Sequence, residues 1–192
     1  MPSGPPLARF ARMANTTDER DKYAAYTQTV LELPGVADGR IDLRRPIGDA
    51  ERALLRAVGL DRPFAVMTGE NPRGENDDDA PTDEEEQARE ARNADDLARL
   101  VAALGAAHTP FVRIDGTAPD GSYRERCVAV LLPRDEALAL ASRFEQLALF
   151  WYDGDGFWLL PAEAGAPPLE LPSRRDAATG SDREASGPGS QS

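Results

Sequence analysis

Polar side chains that suit ligand binding follow a short apolar run of the chain. The run Phe64-Ala65-Val66-Met67 leads directly into TGENPRGEN (68–76), which contains an amide at Asn71 and a guanidinium at Arg73. An arginine fork binds carboxylate or phosphate groups through two parallel hydrogen bonds, and an amide both donates and accepts. Asn-Pro is also a turn signal. The stretch therefore fits ligand binding, catalysis or a structural turn.

Three further polar residues lie in or at the ends of predicted elements. Asn93 precedes the apolar stripe of a helix by one turn, Glu125 lies on one face of a strand, and Gln146 ends a helix. If they converge with the two residues that follow the first strand, they form a pocket for an anionic or amide-bearing ligand. Glu125 would then act as acid or base. The alternative is a structural polar network, and both interpretations predict proximity.

Several common catalytic sites lack their residues in this sequence. The chain has one histidine, His108, so histidine-based zinc sites and triads lack ligands or a base. Its one cysteine, Cys127, lies among strand residues and is predicted to be a small buried apolar group. No GxGxxG or Walker sequence occurs, so no cofactor is predicted. The carboxylates between Asp77 and Glu86 fit a solvated loop and helix start, and no metal is predicted.

Composition favours a small acidic protein in a reducing compartment. The 192 residues carry a formal net charge of −12, which repels phosphate backbones and anionic lipid. We therefore predict no nucleic acid and no membrane among its partners, and an unknown small molecule or protein stays open. A single cysteine cannot form an internal disulfide, and no apolar run is long enough for a signal peptide or a membrane span. A cytoplasmic location is predicted.

The hydrophobic pattern predicts an α+β domain with a mainly antiparallel sheet and about three helices. Segments with strand and helix periodicity follow one another in the order ββαβαββαββ. Asp49 is the predicted N-cap of the first helix, and Thr82 with Glu85 forms a predicted capping box for the second. The third helix is predicted from Pro133 to about Gln146. Hairpin-built strands favour helices packed on one face of the sheet.

The two ends are predicted to lie outside this domain. Residues 1–20 are a flexible leader in which Met13 is a candidate start, 21–161 are the single domain, and 162–192 are a disordered tail. Pro, Gly, Ala, Ser and charge replace large apolar groups in this tail. Ordering it would cost roughly 1 to 2 kcal/mol per residue with little burial in return.

Four short motifs resemble those of a bacterial family known as domain of unknown function 3293. In chain order they are Asn71-Pro72, Asn93, Tyr123-Arg124-Glu125 and Phe144-Glu145-Gln146-Leu147-Ala148. The similarity spans about Tyr23 to Leu160, although Glu145 replaces a glycine that is common in the family. The resemblance adds Tyr123 to the candidate residues. It implies the fold and the grouping of these residues and leaves the chemistry open.

We predict a bacterial cytosolic protein that works as a non-catalytic small-ligand-binding or regulatory module. The candidate ligand-binding residues are Asn71, Arg73, Asn93, Tyr123, Glu125 and Gln146. An alternative is an enzyme, a transferase or hydrolase that uses Glu125 with Arg73, which an open pocket around a Glu125 of raised pKa would favour. Another is a protein adaptor, which an exposed apolar patch around Phe150, Trp151 and Trp158 would favour.

Overall fold

A computed structural model describes residues 23–24, 26–70 and 82–172 of the chain. The predicted α+β class is confirmed, and the predicted element order is followed by one additional strand. The helices are α1 (Asp49–Ala57), α2 (Asp83–Ala106) and α3 (Arg134–Arg143). The strands are β1 (Val30–Glu32), β2 (Arg40–Asp42), β3 (Phe64–Thr68), β4 (Phe111–Thr117), β5 (Arg124–Val130), β6 (Ala148–Tyr152), β7 (Phe157–Pro161) and β8 (Leu169–Leu171). None of the helices within these ranges is long and apolar enough to cross a bilayer.

The strands form one antiparallel sheet in which β3 has an interior position. The strand order is β2-β1-β4-β5-β3-β6-β7-β8, so β3 pairs with β5 on one side and with β6 on the other. The hairpins β4–β5 and β6–β7 therefore flank β3. The polar residues that follow β3 leave from the middle of the sheet rather than from an edge.

The two faces of the sheet have separate hydrophobic clusters. Phe64 and Val66 of β3 belong to the first cluster, and the alternating residues Ala65 and Met67 belong to the second. This alternation follows from the two-residue period of a strand. The first cluster also includes residues of the edge strands β2 and β8, so the sheet curls around it.

The helices cover both faces, which differs from the predicted packing on one face. Leu55 of α1 lies in the first cluster, whereas Leu100 of α2 and Ala141 of α3 lie in the second. Leu54 and Val58 of the same region also pack against the first cluster. Periodicity predicts which side of a helix is apolar, but it does not specify which face of a sheet the helix covers.

The starts of two helices test the predicted caps. The Thr82 N–H donates to Glu85 Oε2 at 2.8 Å, and the Glu85 N–H donates to Thr82 Oγ1 at 3.3 Å, so the predicted capping box of α2 is confirmed. The N-cap of α1 is Gly48 rather than Asp49, because the Gly48 N–H donates to Glu51 Oε2 at 2.9 Å. Asp49 instead lies in the first turn, where its charge still favours the helix dipole.

The first predicted strand is shorter than its sequence pattern suggested. Tyr26–Gln28 forms a 3₁₀ turn, and only Val30–Glu32 pairs as β1. The Thr27 hydroxyl donates to the Ala24 carbonyl at 2.8 Å, a local bond that competes with strand pairing. The turn places the Tyr26 ring against the first cluster, with its centroid 6.0 Å from that of Phe150.

Strand β8 lies within the segment predicted to be a disordered tail. Leu171 pairs with Phe157 of β7, is 5 % exposed and belongs to the first cluster. The prediction of disorder is therefore wrong for these residues, since two leucines are enough to add a short edge strand to β7. The leader 1–20 and residues 173–192 lie outside the described residues.

Truncation after Ala162 should lower the free energy of unfolding by about 2 kcal/mol, the scale for burying one leucine side chain. The truncated chain lacks Leu171 and leaves β7 as an unpaired edge. Truncation after Pro172 is the matched control because it retains β8, and the composition of the removed residues predicts little loss. Urea denaturation of the two chains measures the difference. Equal midpoints would show that β8 does not contribute.

Candidate functional site

The end of β3 is a closed turn held against β5. Thr68 pairs with Cys127, and the Gly69 N–H donates to the Arg126 carbonyl at 3.3 Å. The Thr68 hydroxyl accepts from the Glu70 N–H at 2.9 Å and donates to the Glu70 carbonyl at 2.7 Å. The same hydroxyl also interacts with the carboxyl group of Glu125.

Gln146 replaces strand pairing on the other side of β3. Pairing between β3 and β6 ends at Val66 and Phe150, and beyond it Gln146 Nε2 donates to the Thr68 carbonyl. The Gln146 residue is 4 % exposed, and its Oε1 is a buried acceptor without a hydrogen-bond partner among the described residues. Leaving such an atom unsatisfied costs about 1 to 3 kcal/mol. The fold therefore gives Nε2 of this amide a hydrogen-bond partner, whereas Oε1 has none among the described residues.

Glu125 is a half-buried carboxyl group on the face of β5 that looks toward the first cluster. Its neighbour across the ladder in β4 is Gly116. The Tyr123 hydroxyl donates to Glu125 Oε1. Burial raises the pKa of Glu125 to about 7, against the opposing effect of hydrogen bonding by Tyr123 and Thr68. Near neutral pH this group is divided between its acid and its carboxylate forms.

Glu70 is a second carboxylate at the end of β3, and it forms an ion pair with Arg126. Glu70 is 7 % exposed and accepts from the Arg126 backbone N–H at 2.8 Å and from Arg126 Nε. Its negative charge also contributes to the raised pKa of Glu125, as the weakest of the causes. Sequence reasoning missed this pair. The antiparallel register of β3 and β5 would have indicated it, because residues just after Thr68 must lie beside those just before Cys127.

Neutral side chains cover the carboxyl group from the inner side of the sheet. Burial raises the pKa of the Tyr26 phenol and of the Cys127 thiol, and the charge of Glu125 raises both further. Cys127 is 5 % exposed, so its predicted role as a small buried group is confirmed. Tyr23 packs edge-on against Tyr26, with ring centroids 6.3 Å apart. Glu125 thus lies beside uncharged, poorly hydrated groups.

The structure brings together part of the predicted set. Tyr123 contacts Glu125 directly, and Gln146 joins them through Thr68, which contacts both. Asn93 is half-buried on α2, one turn before the leucine whose backbone lies against the end of β3. The remaining predicted residues, Asn71 and Arg73, lie outside the described residues. The predicted alternative of an Arg73–Glu125 pair therefore stays untested.

The features that would favour an adaptor are not found at the residues proposed for it. Phe150 and Trp151 are 8 % and 9 % exposed, and Trp158 Nε1 donates to Asp153 Oδ2 at 2.7 Å. A cavity of about 320 Å³ lies elsewhere, between α3 and the chain that joins β7 to β8, and none of the candidate residues lines it. Within the described ranges, no group of three or more His, Cys, Asp and Glu side chains is arranged to hold a metal ion.

Comparison with known proteins identifies a family model that matches part of the chain. No curated protein and no solved structure matches the chain. The model of the family described as "Protein of unknown function (DUF3293)" matches residues 67–149. This range begins at the end of β3 and contains all four motifs that carry the resemblance, although it is shorter than the predicted span. The match covers the end of β3 together with Tyr123, Glu125 and Gln146, and it supports the assignment of the chain to the family of domain of unknown function 3293.

Proposed function

We propose that this protein binds a small polar molecule at the end of β3 and works as a binding or regulatory module. The ligand contacts Glu125, Tyr123 and the amide of Gln146. The observation that carries the proposal is Gln146 Oε1, a buried acceptor with no partner among the described residues. Because nearly all buried polar atoms in native proteins are hydrogen-bonded, this exception at the end of β3 favours a bound ligand.

A purely structural network accounts for fewer of these contacts. The Thr68–Glu70 turn and the Glu70–Arg126 pair already satisfy the polar groups where β3 ends. Glu125 is not needed for that purpose, and it introduces a carboxyl group whose ionisation burial opposes. A group that costs stability and has no structural task fits a binding role, since functional residues are often kept at the expense of stability.

Native mass spectrometry of the purified full-length chain tests this function. We expect a small molecule to co-purify with the protein and, at 100 times its Kd, to raise the free energy of unfolding by about 2.7 kcal/mol. Gln146→Met should lose the molecule, because the buried acceptor is gone. Gln87→Met, at an exposed position of α2, is the matched control and should retain it. A folded Gln146→Met protein that carries the same molecule at the same occupancy would contradict the proposal.

A second candidate function is acid–base catalysis by Glu125. The observation that favours it is the pKa of about 7, because a catalytic acid or base works best when its pKa is near the working pH. Tyr123 would then hold the carboxyl group in position through its hydrogen bond. The two candidates differ in the fate of the bound molecule, which a binding module releases unchanged and an enzyme converts. Mass spectrometry of the molecule before and after incubation with the protein distinguishes them.

A further inference from the structure

We infer that the cavity between α3 and the chain that joins β7 to β8 binds a zwitterion with an apolar side chain, the class to which the apolar amino acids belong. This cavity is distinct from the site at the end of β3, because none of the candidate residues described there lines it. The inference therefore does not rest on the function proposed above. It rests on the apolar lining of the cavity and on two opposite charges that line it from different elements.

The cavity has a size and a lining that suit a small molecule. Its volume of about 320 Å³ lies at the lower end of the range for ligand pockets, roughly 300 to 1,000 Å³. Leu138 and Ala139 of α3 line it, together with Leu160 and Pro161 at the end of β7 and small residues of the linker 162–168. An apolar group that enters this space leaves water, which is the main favourable contribution to most binding.

The linker that borders the cavity is held at both ends and by an internal turn. The Ala162 N–H donates to the Leu147 carbonyl at 3.0 Å, and at the other end β8 pairs with β7. Between these points the Ala166 N–H donates to the Glu163 carbonyl at 3.3 Å, and Gly165 within this turn has a positive φ of 86°. Because these hydrogen bonds need no ligand, binding orders little additional backbone at the cavity.

Two side chains of opposite charge line the cavity from different elements. Arg134 begins α3, and Glu163 begins the turn of the linker. Both are exposed, and no hydrogen bond or ion pair joins these two side chains to each other or to another described residue. Asp135 and Glu136, which follow in the first turn of α3, do not line the cavity. The charged groups in its lining are thus one guanidinium and one carboxylate, which a single ligand can contact at the same time.

A zwitterion with an apolar side chain complements both features. Its carboxylate binds the guanidinium of Arg134 through two parallel hydrogen bonds, its ammonium group contacts the carboxylate of Glu163, and its side chain enters the apolar part of the cavity. An anion or a cation would match only one of the two charges. Because exposed ion pairs contribute little each, the apolar side chain supplies most of the affinity, and the charges orient the ligand.

Four compounds test this class by removing one feature at a time. L-leucine is the complete zwitterion, N-acetyl-L-leucine lacks the ammonium group, L-leucinamide lacks the carboxylate, and glycine lacks the apolar side chain. Each is titrated at pH 6.5 and constant ionic strength into the ¹⁵N-labelled full-length chain, and the amide signals of residues 138–139 and 162–166 are followed. We expect leucine to bind about threefold more tightly than either singly charged compound and about tenfold more tightly than glycine.

Variants assign each charge to its residue. Arg134→Gln should weaken the binding of leucine and N-acetyl-leucine about threefold and leave leucinamide unchanged, whereas Glu163→Gln should weaken leucine and leucinamide and leave N-acetyl-leucine unchanged. The matched controls Arg92→Gln and Glu90→Gln change exposed residues of α2 outside the cavity and should alter none of the affinities. Ala139→Phe, which fills the cavity from α3, should abolish the shifts that leucine causes.

Three results would overturn the inference. Equal affinity for glycine and leucine excludes recognition of the side chain, and equal or tighter binding of either singly charged compound excludes recognition of a zwitterion. Absence of any shift of these signals with leucine up to about 50 mM, or a shift that Ala139→Phe leaves intact, excludes the cavity as the site. The function proposed at the end of β3 is tested separately, since Gln146→Met changes no residue that lines this cavity.

Discussion

Replacing Gly69 with alanine should lower the free energy of unfolding by about 3 kcal/mol or more, the upper range for overpacking by one methyl group. A Cβ atom at this position would lie 2.4 Å from the Cα and 2.5 Å from the Cβ of Leu97. The first of these atoms belongs to the backbone of α2, so a rotamer change cannot relieve the clash. Guanidinium denaturation measures the loss, and a loss below about 1 kcal/mol would contradict the close approach of α2 to the end of β3.

Two further variants identify the cause. Gly105→Ala changes the same residue type near the end of α2, where no heavy atom lies within 4 Å of the added Cβ, and it should stabilise the protein by about 0.5 to 1 kcal/mol. Leu97→Ala combined with Gly69→Ala should not recover the lost stability, because the Leu97 Cα remains. Recovery would mean that the clash is with the side chain alone.

Much of the fold followed from local patterns in the sequence. The capping box of Thr82 and Glu85 is a short-range signal, and the structure has it where it was predicted. Side-chain periodicity and turn residues specify which segments are helices and strands. They do not specify which strands pair, so the interior position of β3 could not be predicted from them.

The errors in the fold have the same origin. The strand β8 was missed because Leu169 and Leu171 are isolated apolar residues in a proline-rich segment, and only β7 gives them a partner. Residues Tyr26–Gln28 were predicted to start the first strand and instead form a 3₁₀ turn. In this turn Tyr26 packs against Phe150, which is distant in sequence. In each case a tertiary contact overrides a weak local preference.

The candidate site also depends on contacts between residues that are far apart in sequence. Tyr123 comes directly before β5 and is two residues from Glu125, so their contact is local in sequence. Gln146 meets Thr68 across 78 residues of sequence, and Glu70 meets Arg126 across 56. No spacing rule predicts such pairs without the strand order. The polar stretch after β3 was identified from sequence, but the roles of Thr68 and Glu70 within it were not.

Glu125 also makes a specific contribution to the pH dependence of stability. Its pKa is about 7 in the folded protein and 4.5 in its ordinary, solvated state, so below pH 4.5 both the folded and the unfolded chain carry the proton. Between these values only the folded chain retains it, and stability falls as the pH rises. Above pH 7 both states are ionised and the contribution is constant. At about 1.4 kcal/mol per pKa unit, the full change is about 3 kcal/mol.

Glu125→Gln should remove this pH dependence while it keeps an acceptor for the Tyr123 hydroxyl. We expect the difference in unfolding free energy between Glu125→Gln and the natural sequence to become more favourable to the variant by about 2 to 3 kcal/mol between pH 5 and pH 8. Denaturant melts at both pH values measure it, and the exposed Glu90→Gln cancels changes that any lost carboxyl group causes. A difference that stays constant with pH would show that Glu125 is not held in a poorly hydrated setting.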